Sequence, residues 1–205
     1  MKLALFGATG ATGRHLVEQA LVAGHTVTAL VRNPAGVTTQ HPSLTVVPGN
    51  VLTPADVTKT VQDADAVIVS LGNTANNPDL SVSNGTRIIV EAMQGTGVRR
   101  LIVISSLGVG DSKDQVPFYF KIVAKTILRK AMQDKEGQEQ IVRASGLDWT
   151  IVRPGGLSDE ARSGQYQSGT DPSIVAGRVA RADVAEFVLK QLTDRTFVGK
   201  SPAIT

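Results

Sequence analysis

Short apolar runs alternate along the chain with longer segments in which apolar residues recur at helical spacing. The runs predict buried β-strands over residues 3–6, 25–31, 44–47, 64–70, 101–105 and 147–152, and the tail 196–205 adds a strand or edge segment. Helical patterns follow the first and third strands and cover residues 82–93, 118–130, 135–145 and 181–192. This alternation predicts an α/β fold, a single Rossmann-type doubly wound parallel sheet with helices on both faces.

Three glycines stand directly after the first predicted strand, in the sequence FGATGATGR. One glycine permits a tight turn, one lets the backbone approach a pyrophosphate, and one lets the following helix pack closely on the strand. Unpaired N–H groups at the helix start then bind the phosphates. A glycine-rich turn without a ligand has the same composition, but this order of strand, glycines and helix favours dinucleotide binding. The predicted cofactor contacts here are Gly7, Thr9, Gly10, Ala11, Thr12 and Gly13.

Arg32 follows the second predicted strand, where a Rossmann unit faces the adenosine ribose. An acidic residue at this place binds the 2′-hydroxyl of NAD, whereas an arginine pairs with the 2′-phosphate of NADP. The alternative is a solvated loop arginine. We therefore predict NADP(H) as the cofactor.

Further candidate contacts lie at the carboxyl ends of the later strands, where ligands bind in doubly wound sheets. Ser106 is the candidate catalytic residue, placed to orient the nicotinamide or donate a hydrogen bond; its alternatives are capping the strand or contacting only the cofactor. Residues 153–156 predict a rigid turn back toward the cofactor, and residues 73–80, 108–118 and 157–172 predict substrate-side loops. The contacts predicted from these strand ends are Asn50, Val51, Leu71, Gly72, Asn73, Ser105, Ser106, Arg153, Pro154 and Gly155.

The composition of the chain limits the kinds of reaction that it can catalyse. The 205 residues suit one domain, 1–205, with 41% hydrophobic and 19% charged residues. No apolar run reaches the roughly 18 residues of a membrane span, and the N-terminus lacks the length of a secretory signal, so a cytoplasmic protein is expected. The chain has no cysteine, and its three scattered histidines predict no metal site. The reaction must therefore use a bound cofactor or hydroxyl, amine and carboxylate groups.

The net charge of +3 and the isoelectric point of about 9.3 favour anionic small molecules but are too mild to predict a nucleic-acid partner. The basic residues cluster over 121–130, in a segment whose apolar residues have helical spacing. We interpret this segment as a surface helix with a basic outer face. A membrane-surface or RNA-binding role is the alternative.

Several segments together resemble the atypical short-chain dehydrogenase/reductases of the NmrA-like NAD(P)-binding group, and within it the flavin reductase/biliverdin-IXβ reductase family. They are FGATGATGRHLVEQAL, LVRNP, VVPGNVLTPADVTKTV, DAVIVSLGN, VISSLG and SGLDWTIVRPGGL. The resemblance implies one Rossmann domain that binds NADPH, with Pro154 and Gly155 near the nicotinamide. The chain departs from that family at Asn50, where the family has aspartate, and at Glu139 and Gly156, where the vertebrate biliverdin-IXβ reductases have histidines. These last departures argue against biliverdin specificity.

The short-chain family also uses a tyrosine with a lysine four residues later as its acid. Neither Tyr119 nor Tyr166 has such a lysine. An acceptor that delocalises the incoming electron pair has less need of an acid, so we predict an NADPH-dependent reductase of a flavin, quinone or linear tetrapyrrole. The alternatives are a non-catalytic NADP(H) sensor or assembly factor that binds a protein partner, and a sugar-nucleotide epimerase-like enzyme. The sequence does not fix the oligomeric state, and a monomer is favoured.

Overall fold

The computed structural model describes residues 1–73, 80–118, 126 and 128–205. Most of the predicted helix 118–130, with Tyr119 and much of the basic segment, lies outside the described residues, as does most of the predicted loop 73–80. The strands are β1 (Lys2–Phe6), β2 (Thr26–Val31), β3 (Leu44–Pro48), β4 (Ala66–Val69), β5 (Arg100–Ile104), β6 (Asp148–Pro154), β7 (Gly156–Ser158), β8 (Ser168–Gly169), β9 (Arg178–Ala180) and β10 (Ala203–Ile204). The α-helices are α1 (Ala11–Val22), α2 (Pro54–Val61), α3 (Ser81–Thr96), α4 (Arg129–Ala144) and α5 (Arg181–Lys190).

Eight strands form one mostly parallel sheet in the order β3-β2-β1-β4-β5-β6-β10-β8. The chain runs outward from β1 through β2 to β3 and then returns to place β4 on the other side of β1. This reversal of direction is the topological switch point, and it opens a crevice at the carboxyl ends of the central strands. The predicted doubly wound α/β fold is confirmed, and the predicted tail strand is β10, which pairs with β6.

Helices cover both faces of the sheet because the central strands are apolar on both sides. In β1, Leu3 and Leu5 pack in one core with side chains of α1 and α5. Ala4 and Phe6 point to the opposite face and pack in a second core with side chains of α2, α3 and α4. This two-sided burial explains why the first strand has no alternation of apolar and polar residues.

Helix α1 ends where the sequence places a glycine cap. Gly24 has φ of +78°, and its N–H donates to the carbonyl of Leu21 while the N–H of His25 donates to that of Ala20. These two bonds are the Schellman arrangement, which satisfies carbonyls at the helix end and turns the chain into β2.

The predicted turn at residues 153–156 is wrong. Strand β6 continues through Pro154, and Gly156 opens β7, which pairs with β9. The N–H of Gly155 donates to the carbonyl of Ile204 in β10. A Cβ on Gly155 would lie 2.6 Å from the carbonyl oxygen of Gly177, so this glycine serves the close approach of two chain segments.

Candidate functional site

A pocket of about 640 Å³ crosses the carboxyl ends of the central strands. It begins beside the turn between β1 and α1, passes the ends of β2 and β3, and continues past β4 and β5 to α4. The structure brings together there most of the contacts predicted from the sequence: Gly7, Thr9, Gly10, Ala11, Thr12, Arg32, Asn50, Val51, Leu71, Gly72, Asn73 and Ser105. The predicted contacts outside its lining are Gly13, Ser106, Arg153, Pro154 and Gly155.

The three glycines of the first turn have separate structural reasons. Gly7 has φ of +92°, and a Cβ there would overlap the carbonyl of Ser70. Gly10 precedes α1 and donates its N–H to the carbonyl of Gly7 at 3.1 Å. A Cβ on Gly13 would overlap that same carbonyl, so Gly13 lets α1 pack on the turn without lining the pocket. The first N–H groups of α1 have no partner within the helix and suit an anion.

Arg32 lies one residue after β2, and its exposed side chain lines the pocket. No carboxylate among the described residues forms an ion pair with it. The short 3₁₀ turn Pro34–Gly36 follows and packs against the glycine turn, because a Cβ on Gly36 would lie 3.3 Å from Cγ2 of Thr9. This arrangement places a guanidinium without an ion-pair partner among the described residues next to the glycine turn.

Asn50 lines the same end of the pocket but uses its side-chain carbonyl within the protein. Its Oδ1 accepts the N–H of Leu52 at 3.0 Å, and its own N–H donates to Oδ2 of Asp56 at 2.9 Å. The side-chain amide N–H groups of Asn50 have no partner among the described residues, so they are the part of this side chain that can bind a ligand.

Lys135 is a pocket residue that the sequence analysis missed. Its Nζ lies on α4 and donates to the carbonyls of Ile104 at 2.7 Å and Leu71 at 2.8 Å, and to Oε1 of Gln138 at 3.1 Å. Burial lowers the pKa of Lys135 to about 8. Lys135 lies outside the tyrosine–lysine pattern of the short-chain family, because the residue four positions earlier is Ala131.

The polar pattern of α4 is the signal that would have indicated this region. Asp134 and Gln138 are fully buried, at positions where a helix packed on a sheet normally carries apolar residues. Oδ1 of Asp134 accepts the N–H of Ser83 at 2.8 Å, and Oδ2 accepts the N–H of Val82 and Nδ2 of Asn73, both at 3.1 Å. Asp134 therefore caps α3 and orients Asn73 at the pocket wall.

Two buried hydroxyl groups line the pocket without a hydrogen-bond partner among the described residues, those of Ser81 and Ser105. The hydroxyl of Ser106, the predicted catalytic group, donates instead to the carbonyl of Leu107 at 3.0 Å. At the end of β5 the hydroxyl without a partner among the described residues is therefore that of Ser105, itself a predicted cofactor contact, and the catalytic role of Ser106 stays a prediction. A buried hydroxyl without a partner inside the protein has unused hydrogen-bonding capacity beside the pocket.

Arg153 is held away from the pocket by an ion pair with α4. Its Nε and Nη2 donate to the two carboxylate oxygens of Glu139 at 3.0 and 2.6 Å, and Nη2 also pairs with Asp111. Burial opposes the charge of Arg153, but the bonds to Glu139 and Asp111 outweigh it and raise its pKa. Pro154 accepts the N–H of Leu107. These contacts engage residues 153–155 within the protein and outside the pocket lining, and their contact with the cofactor stays a prediction.

Leu157 and Arg181 complete the lining on the side of the third predicted loop. Leu157 lies on β7 and is exposed, and Arg181 is the first residue of α5. Nη1 of Arg181 donates to Oδ1 of Asp159 at 2.6 Å.

Two absences hold for the described residues. No group of three or more histidine, aspartate or glutamate side chains is arranged to bind a metal ion within residues 1–73, 80–118, 126 and 128–205. None of the helices in that part of the chain is long and apolar enough to cross a membrane.

Comparison with known proteins gives a family match and several similar proteins. A family model described as NAD(P)H-binding matches residues 7–195. The (4-alkanoyl-5-oxo-2,5-dihydrofuran-3-yl)methyl phosphate reductase of Streptomyces griseus is 31% identical over 72% of this chain and 45% of its own length. The photosystem II assembly factor Ycf39 of Synechocystis is 28% identical over 81% of this chain and 48% of its own length. The chain thus spans less than half of each of these two relatives.

Among solved structures, ChuY of Escherichia coli O157:H7, described as an anaerobillin reductase, superimposes with a TM-score of 0.85. It is 26% identical, and the match covers all of this chain and 96% of that one.

Proposed function

The chain belongs to the NAD(P)H-binding family, and we propose that it is an NADPH-dependent reductase that transfers hydride to a flavin or a similar conjugated acceptor. One observation carries this proposal. The pocket joins the glycine turn and an unpaired arginine to a far end whose lining has no tyrosine, histidine or carboxylate among the described residues, and whose lysine, Lys135, has its donors bonded within the protein. Such a site can hold NADPH but offers little acid for an alkoxide, so it suits an acceptor that delocalises charge.

We assign the cofactor contacts from one end of the pocket to the other. Asn50 and Val51 lie at the adenine end, Arg32 pairs with the 2′-phosphate, and the first turn of α1 binds the pyrophosphate. Leu71, Gly72, Asn73 and Ser105 lie at the nicotinamide end. The preference for NADP(H) over NAD(H) rests on Arg32, whose charge has no carboxylate partner among the described residues.

The chain's own contribution is to position two planar rings and exclude water. Lys135 holds the carboxyl ends of β4 and β5, against which the nicotinamide lies. All three of its N–H groups have acceptors within the protein, so Lys135 is a positioning residue and the solvent supplies the proton. The bound cofactor supplies the hydride.

The similar proteins support a reductase. One relative is named as a reductase, and ChuY is described as an anaerobillin reductase. A flavin, a quinone and a linear tetrapyrrole are the acceptor classes we propose. Biliverdin is the least favoured, because Glu139, which pairs with Arg153, stands where the vertebrate biliverdin-IXβ reductases that the sequence resembles have a histidine.

Turnover tests this proposal directly. The purified protein is mixed with NADPH or NADH and with FMN, riboflavin, quinones or biliverdin, and the loss of reduced nicotinamide absorbance is followed. We expect faster oxidation of NADPH than of NADH with at least one conjugated acceptor. Tight NADPH binding without turnover of any acceptor contradicts the proposal.

The relative Ycf39 supports a second candidate function, a non-catalytic NADP(H) sensor or assembly factor that binds a protein partner. A pull-down with NADP⁺ and with NADPH separates the two functions, since exchange of a protein partner without turnover favours the sensor.

A cytoplasmic location, a monomeric state and the lack of a nucleic-acid partner stay predictions. Fractionation, size-exclusion chromatography and nucleic-acid binding assays test them.

A further inference from the structure

Among the described residues, the charged side chains that line the pocket are all basic: Arg32, Lys135 and Arg181. Arg32 stands where the adenosine 2′-phosphate is expected, and Lys135 has its three N–H groups bonded within the protein. Arg181 has no such assignment. Its guanidinium carries five N–H donors, of which the described residues engage only Nη1, through Asp159.

The pairing of two short strands places Arg181 beside an apolar side chain. In the register of β7 and β9, Leu157 lies opposite Val179 and Ser158 opposite Ala180. The next residues on the two segments, Asp159 and Arg181, then meet at 2.6 Å. Leu157 is 39% exposed although it is a large apolar residue, and it lines the pocket with Arg181. The pairing therefore builds one apolar and one cationic group side by side at the pocket wall.

The carboxylate of Asp159 is a weak competitor for Arg181. Its side chain is 83% exposed, whereas that of Arg181 is 22% exposed. Ion pairs in which one partner is so well solvated contribute little, so a ligand anion that leaves water at this wall can displace or share the arginine. The remaining donors of the guanidinium have the fork geometry that binds phosphate or carboxylate oxygens in pairs.

We infer that Leu157 and Arg181 form a binding site for the acceptor and select conjugated acceptors that carry a phosphate or carboxylate group. The inference rests on the proposed reductase function. Leu157 packs on the planar ring, and Arg181 pairs with the anionic substituent. The pyrophosphate of the cofactor has the same chemistry as such a substituent, but it is already accounted for by the first turn of α1.

FMN and riboflavin form a matched test because they share one ring system and differ in the phosphate. Dissociation constants are measured by quenching of flavin fluorescence on the protein saturated with NADP⁺, which cannot transfer hydride. We expect FMN to bind about tenfold more tightly than riboflavin, as one charge-assisted pair allows. Arg181→Gln removes this preference, and Arg181→Lys retains part of it. Both Arg181 variants keep the wild-type affinities for riboflavin and for NADP⁺.

Two further variants separate the roles of the neighbouring side chains. Leu157→Ala weakens the binding of FMN and of riboflavin equally, because the two flavins share the ring. Asp159→Asn strengthens the binding of FMN but not of riboflavin, because it removes the carboxylate that competes for Arg181.

Several outcomes overturn the inference. Equal affinity for the two flavins, or no binding of either flavin, contradicts an anion site at Arg181. Loss of NADP⁺ affinity in Arg181→Gln, in step with any loss for FMN, assigns the arginine to the cofactor's phosphates. If riboflavin is reduced and FMN is not preferred, the anion site is contradicted but the proposed reductase function is not. If FMN binds selectively but NADPH is not oxidised, the reductase function is contradicted but the anion site is not.

Discussion

Lys135 donates a hydrogen bond of 2.7 Å from its Nζ to the carbonyl oxygen of Ile104, the last residue of β5. A second bond of 2.8 Å reaches the carbonyl of Leu71, just beyond the end of β4. One side chain of α4 thus ties together the two strand ends that form the far wall of the pocket. The spacing of that wall depends on a residue that itself offers no free donor to a ligand.

Lys135→Met tests this positioning role. We expect the dissociation constant for NADPH to rise about tenfold, because the ends of β4 and β5 are no longer held. The free energy of unfolding changes by less than about 1 kcal/mol, because the loss of the hydrogen bonds is opposed by removal of a charge from a partly buried site. Isothermal titration and urea unfolding measure the two quantities. Lys59→Met, on the exposed face of α2, is the control and changes neither. A large loss of stability without a change in affinity contradicts the positioning role.

The lowered pKa of Lys135 predicts a pH dependence with a definite sign. Its pKa is about 8 in the folded protein, against 10.5 for an unperturbed lysine. Between these values the unfolded chain binds more protons than the folded one, so the free energy of unfolding rises with pH from about 8 to 10.5 and this contribution is constant below. The slope approaches about 1.4 kcal/mol per pH unit. Urea unfolding of the wild type and of Lys135→Met at pH 7 and 9.5 measures it, since other groups cancel in the difference. A difference that stays constant or falls with pH contradicts the prediction.

Ser105 and Ser106 are expected to respond in opposite ways. Ser105→Ala removes a buried hydroxyl that has no partner among the described residues, so stability is unchanged or slightly higher while the NADPH dissociation constant rises several-fold. Ser106→Ala loses the bond to Leu107, which lowers the free energy of unfolding by about 1 kcal/mol and leaves NADPH affinity unchanged. Unfolding and binding measured on both variants decide between them. The reverse pattern returns the role to Ser106.

The sequence predicts the fold and the cofactor half of the site because both depend on local patterns. Apolar strands, the glycines from Gly7 and the place of Arg32 after β2 are all readable in chain order. Lys135 and Arg181 reach the pocket only through the packing of α4 and the pairing of β7 with β9, which no local pattern specifies. The segment RPGG from Arg153 is a further example. Its local sequence favours a turn, but β10 pairs with β6 and extends the strand through Pro154.

Gly13→Ala tests the packing of α1 on the glycine turn. The added Cβ overlaps the carbonyl of Gly7, so the helix start must move, and we expect a loss of about 1–3 kcal/mol in the free energy of unfolding together with weaker NADPH binding. Gly95→Ala is the matched control, since no atom lies within 4 Å of a Cβ at that position of α3. The Gly95→Ala variant gains about 0.5–1 kcal/mol in the free energy of unfolding, because alanine has the higher helix propensity. Similar stability of the two variants contradicts close packing at Gly13.

Arg32→Gln tests the choice between the two nicotinamide cofactors. A guanidinium paired with a phosphate contributes about 1.5–3 kcal/mol, so its loss raises the NADPH dissociation constant about 10- to 100-fold. NADH lacks the 2′-phosphate, so its dissociation constant stays within about twofold of the wild-type value by the same argument. Arg87→Gln, at an exposed position of α3 outside the pocket, is the control for a general loss of positive charge and leaves both constants unchanged. Titration of each protein with both cofactors separates the cases. Equal weakening of NADPH and NADH assigns Arg32 to a part that the cofactors share, and no weakening of either returns it to a solvated loop arginine.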